Sequence, residues 1–531
     1  METICIDFEE TNRFEAIFLD YIKQHASLQP FYNLFPSIEN FEQQISLKKA
    51  QFSNESRKNL HKALSQQYKK NTKKPQLTID LLLNENTFTL TTGHQLNIFT
   101  GPLYFHYKIM TVINAAKILR EKYPQYNFIP VYWMASEDHD AEEISNFRLF
   151  GKKYIWNSEQ TGAVGRFNPK SLQKVMAQVP EMHSLFQQAY TKSETLSEAT
   201  RMIVNELYGT EGLLVVDGDD ELLKRSFIPI IKQELLQATS HKFMDIISKD
   251  LTALGHKIQV NPREINLFYL ENHLRERIVK EIKNSEIDCN QEVIYRVLNT
   301  DLSFTEAEIL KLVDEKPQNF SPNVVLRPVY QEVILANVSY TGGPGELAYW
   351  LQLKGVFKSF GVLFPMLLQR NHVMYLTKKD ADDLTKKNLS IKDIFLSPEN
   401  LQKKYLQQVL KNPQTVDNEL VSIQNSLTNI QTIFQNTDKS LEKYAIARNK
   451  DVAKILEKIA KKLQKTQENR FETDTKQLQS LQNKLCPNSG LQERSENFLS
   501  FYLNNPNFLH EVKEHINPFE NKFYVLVSNE F

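Results

Sequence analysis

The chain changes its hydrophobic rhythm twice. From Gln414 to Leu485 there is neither glycine nor proline, and apolar residues recur at helical spacing. Leu420, Ile423, Leu427, Ile430 and Phe434 step by three and four. Val452, Ile455 and Ile459 do the same, as do Leu478, Leu481 and Leu485, with Lys, Glu and Gln elsewhere. This spacing predicts an a/d seam. The register breaks around Thr437 to Asn449, so the segment reads as two long antiparallel helices joined by a turn. We bound this coiled coil at 378–487.

Upstream the rhythm differs. Residues 1–85 read as mainly helical and end in a basic polar loop, Tyr68 to Gln76, whose Lys69, Lys70, Lys73 and Lys74 read as a solvated run. From Asn86, NTFTLTT alternates like a strand, and GHQLNIFTGP supplies turn residues. Leu103, Tyr107, Met110, Ile113, Ala116 and Leu119 then trace a helix face, and FIPVYWMAS reads as a buried strand. Strand, glycine-containing loop, helix, strand is a βαβ unit and predicts a parallel sheet. GLLVVDGDD, VLFPMLLQ and FYVLVS add candidate strands. The chain is thus expected to be α/β, with a core over 86–377, the helical hairpin, and a segment 488–531 returning to the core.

Three motifs fall where strands give way to helices. In open α/β sheets that is where ligands bind. The first holds Gly93, His94, Gln95, Thr100 and Gly101. Its glycines let backbone N–H groups approach an anion at a helix N-terminus; a loop whose glycines only serve turns is the alternative. The second is Glu137, Asp138, His139 and Asp140. Acids in a first helical turn need no chemistry to explain them. An imidazole between two carboxylates, however, suits a general base, and the carboxylate oxygens suit Mg²⁺. The third is Gly342, Gly343, Gly345 and Glu346, with Tyr349 and Gln352 following on one helix face. Arg263, Arg275, Arg277 and Arg327 stand near apolar stretches and could pair with a substrate carboxylate. Asp217, Asp219 and Asp220 follow a strand, where a plain turn is the commoner explanation.

Composition narrows the class. The 531 residues carry 64 Lys+Arg against 64 Asp+Glu, so net charge is zero, without the basic excess of a nucleic-acid binder. Cys5, Cys289 and Cys486 are far apart and form no C-x-x-C pair, so neither a disulfide framework nor a structural metal is expected. The acidic start METICIDFEE lacks the pattern of a signal peptide. The longest apolar runs fall well short of the ~20 residues that span a bilayer. A cytoplasmic protein without membrane contact is expected.

TTGHQLNIFTGPLYFHYK, PVYWMASEDHDAEEI, LRPVYQEVILANVSYTGGPGELAYWLQLK and LQERSENFLSFY follow one another in this chain. In content, order and total length they resemble the bacillithiol cysteine-adding enzymes, the BshC family. The family pattern often has Gln where this chain has His94. The resemblance implies a Rossmann-like core related to class I nucleotidylyltransferases, connecting segments and an α-helical coiled coil. The H-x-G-H signature of those nucleotidylyltransferases is absent here. The resemblance further implies a ligase that joins cysteine to glucosaminyl-malate, bound ATP or ADP, and a homodimer. On matching positions, His139 would be the base, with Asp138 orienting it. Glu137 and Asp140 would hold the substrate amine or Mg²⁺, the two glycine loops would take anions, and Arg327 would meet a malate carboxylate. A nucleotidylyltransferase-like enzyme on another small substrate, and a coiled-coil scaffold with an inactive core, are the alternatives.

Overall fold

The computed structural model describes residues 1–69, 75–179, 183–284, 291–410 and 416–529. Lys70, Lys73 and Lys74 of the basic loop, and Cys289, lie outside them. The chain forms two compact units. One comprises Met1–Glu9, Arg13–Met374 and Gln492–Leu526, and the other Glu10–Asn12, Tyr375–Leu491 and Val527–Phe531.

The larger unit is built on a five-stranded parallel sheet. Its strands are β1 (Thr87–His94), β2 (Asn127–Met134), β3 (Leu214–Asp217), β4 (Asn337–Gly342) and β5 (Met366–Gln369), in the order β5-β4-β1-β2-β3. Helix α1 (Tyr104–Lys122) connects β1 to β2. Successive strands run outward from β1 on one side, and the chain returns through β4 on the other. The order therefore reverses between β1 and β4, and a crevice opens at their carboxyl ends. NTFTLTT alternates apolar and polar residues, yet every residue of β1 is buried. Its polar face is satisfied inside the sheet. Thr89 and Thr91 donate to Asn337 Oδ1, and Thr92 donates to the Thr341 carbonyl. Buried hydroxyls are tolerated when they are so paired.

Residues 1–85 supply a strand, Glu2–Ile6, and helices including Asn40–Gln51 and Asn54–Gln67. These pack within the same unit. Lys48 pairs with Glu332 just ahead of β4, and Arg57 donates to the Leu82, Glu85 and Thr87 carbonyls at the entry to β1. FYVLV does not extend the parallel sheet. It lies between Glu2–Ile6 and His372–Leu376 in a small sheet of three strands. A five-stranded antiparallel sheet stands apart from the motif pattern. Its order is Ser303–Thr305, Gln291–Val297, Leu274–Asn284, Leu267–Glu271 and Phe320–Pro322. Its central strand reads LRERIVKEIKN, too charged to announce a strand by apolar content.

The second unit is helical. Helix α4 (Asp417–Thr437) turns at Asp438 into α5 (Glu442–Glu468), which breaks briefly before α6 (Glu472–Leu485). The hairpin expected as two helices thus has a returning arm in two pieces. (Labels α2 and α3 are given to Arg327–Ile334 and Pro344–Leu351 of the larger unit.) The expected seam is also split. Leu420, Leu427, Phe434 and Val452 are half-buried, whereas Ile423, Ile430, Ile455 and Ile459 are exposed. Asn449 reaches from α5 to α4 and donates to the Leu427 carbonyl. Leu478 and Leu485 are buried, and Gln482 donates to the Ile394 and Leu396 carbonyls.

Candidate functional site

The carboxyl ends of β1 and β4 meet over Gly93. A Cβ there would lie 3.3 Å from the Tyr340 hydroxyl and 3.6 Å from Arg327 Nη1, so glycine permits this close approach. From α1, Lys108 donates to the Gly93 carbonyl at 2.8 Å and pairs with Glu346 at 2.5 Å. Glu346 sits in the first turn of α3. It also accepts from the Tyr340 hydroxyl at 2.7 Å and the Gly343 N–H at 2.9 Å. Burial alone would raise the Glu346 carboxyl. Lys108 and these donors outweigh it and hold the group below the ordinary carboxylate range. Lys108 is itself drawn down by burial, with Glu346 opposing. The third motif is therefore locked onto the first through one ion pair, in which Lys108 is buried and Glu346 half-buried.

Around this lock lies a cavity of about 890 Å³. Lys108, Arg263, Arg275, Arg327, Arg370 and Arg494 line it, against Glu137, Asp138, Glu143 and Glu346. Cations are in excess, and some retain donors. Arg327 gives Nη1 to Gln331, but its buried Nη2 has no partner among the described residues, nor has Arg370 Nε. Arg370 holds Glu493 with both terminal nitrogens, at 3.0 and 2.6 Å. Its guanidinium and that of Arg494 lie 5.2 and 5.7 Å from the ring centre of Tyr104. Such a wall suits phosphate or carboxylate oxygens. Glu493 fixes it further by accepting from His372 Nδ1 and the Val373 N–H. Four donors hold that carboxylate well below its usual range against its burial.

Of the second motif, Glu137 and Asp138 line the cavity, whereas His139 and Asp140 do not. Glu137 follows β2 and faces the cavity, with one oxygen taken by the buried Lys224 at 2.5 Å. Burial pushes its carboxyl up, while Lys224 pulls the other way. Asp138 accepts from Gln95 Nε2 at 2.9 Å, and the same nitrogen reaches Glu143 at 2.7 Å. His139 is half-exposed and does not line the cavity. Its Nδ1 accepts from Arg275 Nη1 at 2.7 Å, and its imidazole is lowered by burial and by that cation. An imidazole whose Nδ1 accepts carries its proton on Nε2 and has no lone pair left to take another. Asp138 contacts the His139 backbone N–H at 2.7 Å, and its Oδ1 is 3.7 Å from the ring nitrogen. Asp140 caps the short helix Ala141–Ile144 through the Glu143 N–H.

His94 is the imidazole that does line the cavity. Its Nδ1 donates to the Gln95 carbonyl at 2.9 Å, which leaves Nε2 as an acceptor with no partner among the described residues. Burial, with Lys108 nearby, brings it down to about 3, so it stays neutral near pH 7.

Gly93, His94, Gln95, Glu137, Asp138, Arg327, Gly343, Gly345, Glu346 and Tyr349 thus share one cavity. Thr100, Gly101, Gly342 and Gln352 do not line it. Thr100 bonds to His106, and Gly101 has φ +63° in a turn tied by Asn497. Gln352 is buried and binds the backbone of Gln259 and Val260. Asp217, Asp219 and Asp220 are engaged by Ser136, Arg166 and a helix cap respectively. Among the described residues no three His, Cys, Asp or Glu side chains converge as a metal-ligating group. Lys108, Lys224, Tyr104, Arg370, Glu493 and Arg494 were not singled out by pattern. Of these, Lys108, Tyr104, Glu493 and Arg494 lie inside the motif blocks that carry the family resemblance.

Family models match nearly the whole chain. Residues 1–371 match the N-terminal Rossmann-like domain of bacillithiol biosynthesis BshC, and 373–528 match its C-terminal coiled-coil domain. The chain belongs to the BshC family. Among its relatives are proteins named "Putative cysteine ligase BshC" from Flavobacterium johnsoniae and Christiangramia forsetii. The first is 42% identical, over 95% of each chain. The second is 41% identical, over 99% of each. A relative of the same name from Cytophaga hutchinsonii is 37% identical over 97% of this chain and 96% of its own. The Rossmann-like order of the parallel sheet accords with this membership. No described helix is long and apolar enough to cross a membrane.

Proposed function

We propose that this cavity joins the carboxyl of cysteine to the amine of glucosaminyl-malate, with ATP as co-substrate, as the last step of bacillithiol biosynthesis. The observation that carries the reading is the cation-rich cavity at the sheet's switch point in a chain of this family. Lys108, Arg327, Arg370 and Arg494 suit the phosphates of ATP and the carboxylates of malate. A free carboxylate does not acylate an amine, so a carboxyl oxygen first attacks a phosphorus of ATP, expelling ADP or pyrophosphate, and then leaves carbon as phosphate or AMP. The amine nitrogen then forms the new C–N bond and gives up a proton. Glu137 is the acceptor the geometry favours, because it faces the cavity while His139 is turned to Arg275. His94 Nε2 is a neutral acceptor for a substrate N–H or S–H. Tyr349 and the Gly343 turn close the anion side.

The test is mass spectrometry for the amide product from cysteine, glucosaminyl-malate and ATP. Product that appears only when all three are present supports the reading. Its absence, or its appearance without ATP, overturns it. Glu137→Gln should lower turnover roughly 10²-fold, the scale of a lost proton acceptor. His139→Ala should lower it much less.

A further inference from the structure

We propose that Lys224 is a positioning residue that aims Glu137 into the cavity. The inference rests on the ligase reading above, since it assigns a task to Glu137. Lys224 lies on the helix Glu221–Arg225, in a sequence, ELLKRS, that reads as an ordinary helix surface. It is instead fully buried and does not line the cavity. Its ammonium donates to Glu137 Oε1 at 2.5 Å and to the Phe320 carbonyl at 2.7 Å, and lies 4.9 Å from the ring centre of Tyr330.

Three parts of the fold meet at this ammonium: the end of β2, the helix after β3, and the Phe320–Pro322 strand. That strand also fixes Arg275, which donates to Ser321 Oγ and the Pro322 carbonyl. Arg275, Asp219 and Arg166 are the other charged groups that act on this pair. With Oε1 held from behind, the carboxyl has one orientation, and Oε2 is left for whatever enters the cavity. A buried ammonium is costly, and an apolar side chain would pack the same space. A rigid support behind a reacting group is what gives such a lysine a use.

The test is a double-mutant cycle on Lys224 and Glu137 in the full-length protein, with folding checked by circular dichroism. Lys224→Met should lower kcat by roughly tenfold or more while leaving KM for each substrate within about twofold, the pattern of an interaction used in the reacting complex. Lys224→Arg, which keeps a donor, should recover part of the loss. In a Glu137→Gln background Lys224→Met should change nothing further, because it acts only through that carboxyl. Losses that multiply instead would overturn the proposal, as would an unchanged kcat in Lys224→Met. Should Lys224→Met fail to fold, the Lys224→Met/Glu137→Gln variant, which leaves no lone buried charge, supplies the comparison with Glu137→Gln. Crystal structures of the wild type and Lys224→Met give an answer independent of the reaction. A Glu137 carboxyl turned from its present direction supports the proposal, and an unmoved one sinks it. A wild type that makes no amide would refute the ligase reading, while the crystal structures still decide the geometry.

Discussion

Polar side chains crowd the inside of the crevice, whereas apolar side chains stand on the outside of the hairpin. In the crevice Lys108, Arg370 and His94 are buried, and β1 hides four threonines. On the hairpin Ile430 is 45% exposed and Ile455 56% exposed. The difference lies in how each region meets its hydrogen-bonding demand. The crevice brings donors and acceptors from distant segments into matched pairs, so burial costs little that is not returned. The hairpin satisfies its backbone within each helix. One stripe suffices to hold α4 on α5, and a second stripe remains at the surface. The first arrangement keeps charged groups inside the fold, and the second leaves isoleucines at the surface.

A single change should cost most in the crevice. Glu493→Gln removes a buried charge from beneath Arg370 and should cost about 3–5 kcal/mol by urea unfolding, the range for breaking a buried pair. A loss under 1 kcal/mol would mean the wall is not held this way. The same carboxylate gives a pH signature. Its folded-state value is depressed. It therefore stabilises fully above the unfolded-state value near ~4.3, and that contribution fades as pH falls below it. Wild type should lose stability between about pH 5 and pH 3 more steeply than Glu493→Gln.

A smaller effect is expected at Tyr340. Tyr340→Phe keeps the ring stacked on Trp350, with centres 4.2 Å apart, and deletes one bond to the ionised Glu346. A loss of about 1.5–3 kcal/mol is expected, the value for a bond to a charged group. Calorimetry showing no change would detach Tyr340 from the lock.

The smallest effect on folding is expected at the hairpin. Ile423→Asp/Ile430→Asp places charges on the exposed stripe. It should shift the stability of the isolated chain by within about 0.5 kcal/mol per site, as surface changes do. We propose that this stripe is covered in a homodimer. Light scattering should then show a dimer for the wild type and a monomer for the double variant. A dimeric double variant, or a monomeric wild type, would remove the stripe from that role.

Local pattern was enough to place the elements that carry the site. Alternation and turn residues marked β1 and β2, and the glycine motifs marked where strands end and helices begin. A strand end at a switch point is a ligand position for reasons of backbone geometry alone, and so Gly93, Glu137 and Gly343 were visible. Helical spacing marked the hairpin because 3.6 residues per turn is a local property. Only the tertiary structure decided which members of each pattern do what. Spacing says that Leu427 and Ile430 share a helix side, but the angle at which α5 arrives decides that one is half-covered and the other is not. The SEDHD block marks a cluster of acids and an imidazole. Arg275, which comes from a charged strand of the antiparallel sheet 136 positions along the chain, decides that His139 is occupied. Lys224 carries no local mark at all, and Glu493 is marked only by the family block around it, not by any pattern of its own. A lysine in ELLKRS and a glutamate in LQERSEN look solvated until the fold removes the water and leaves each with one carboxylate or guanidinium to answer it.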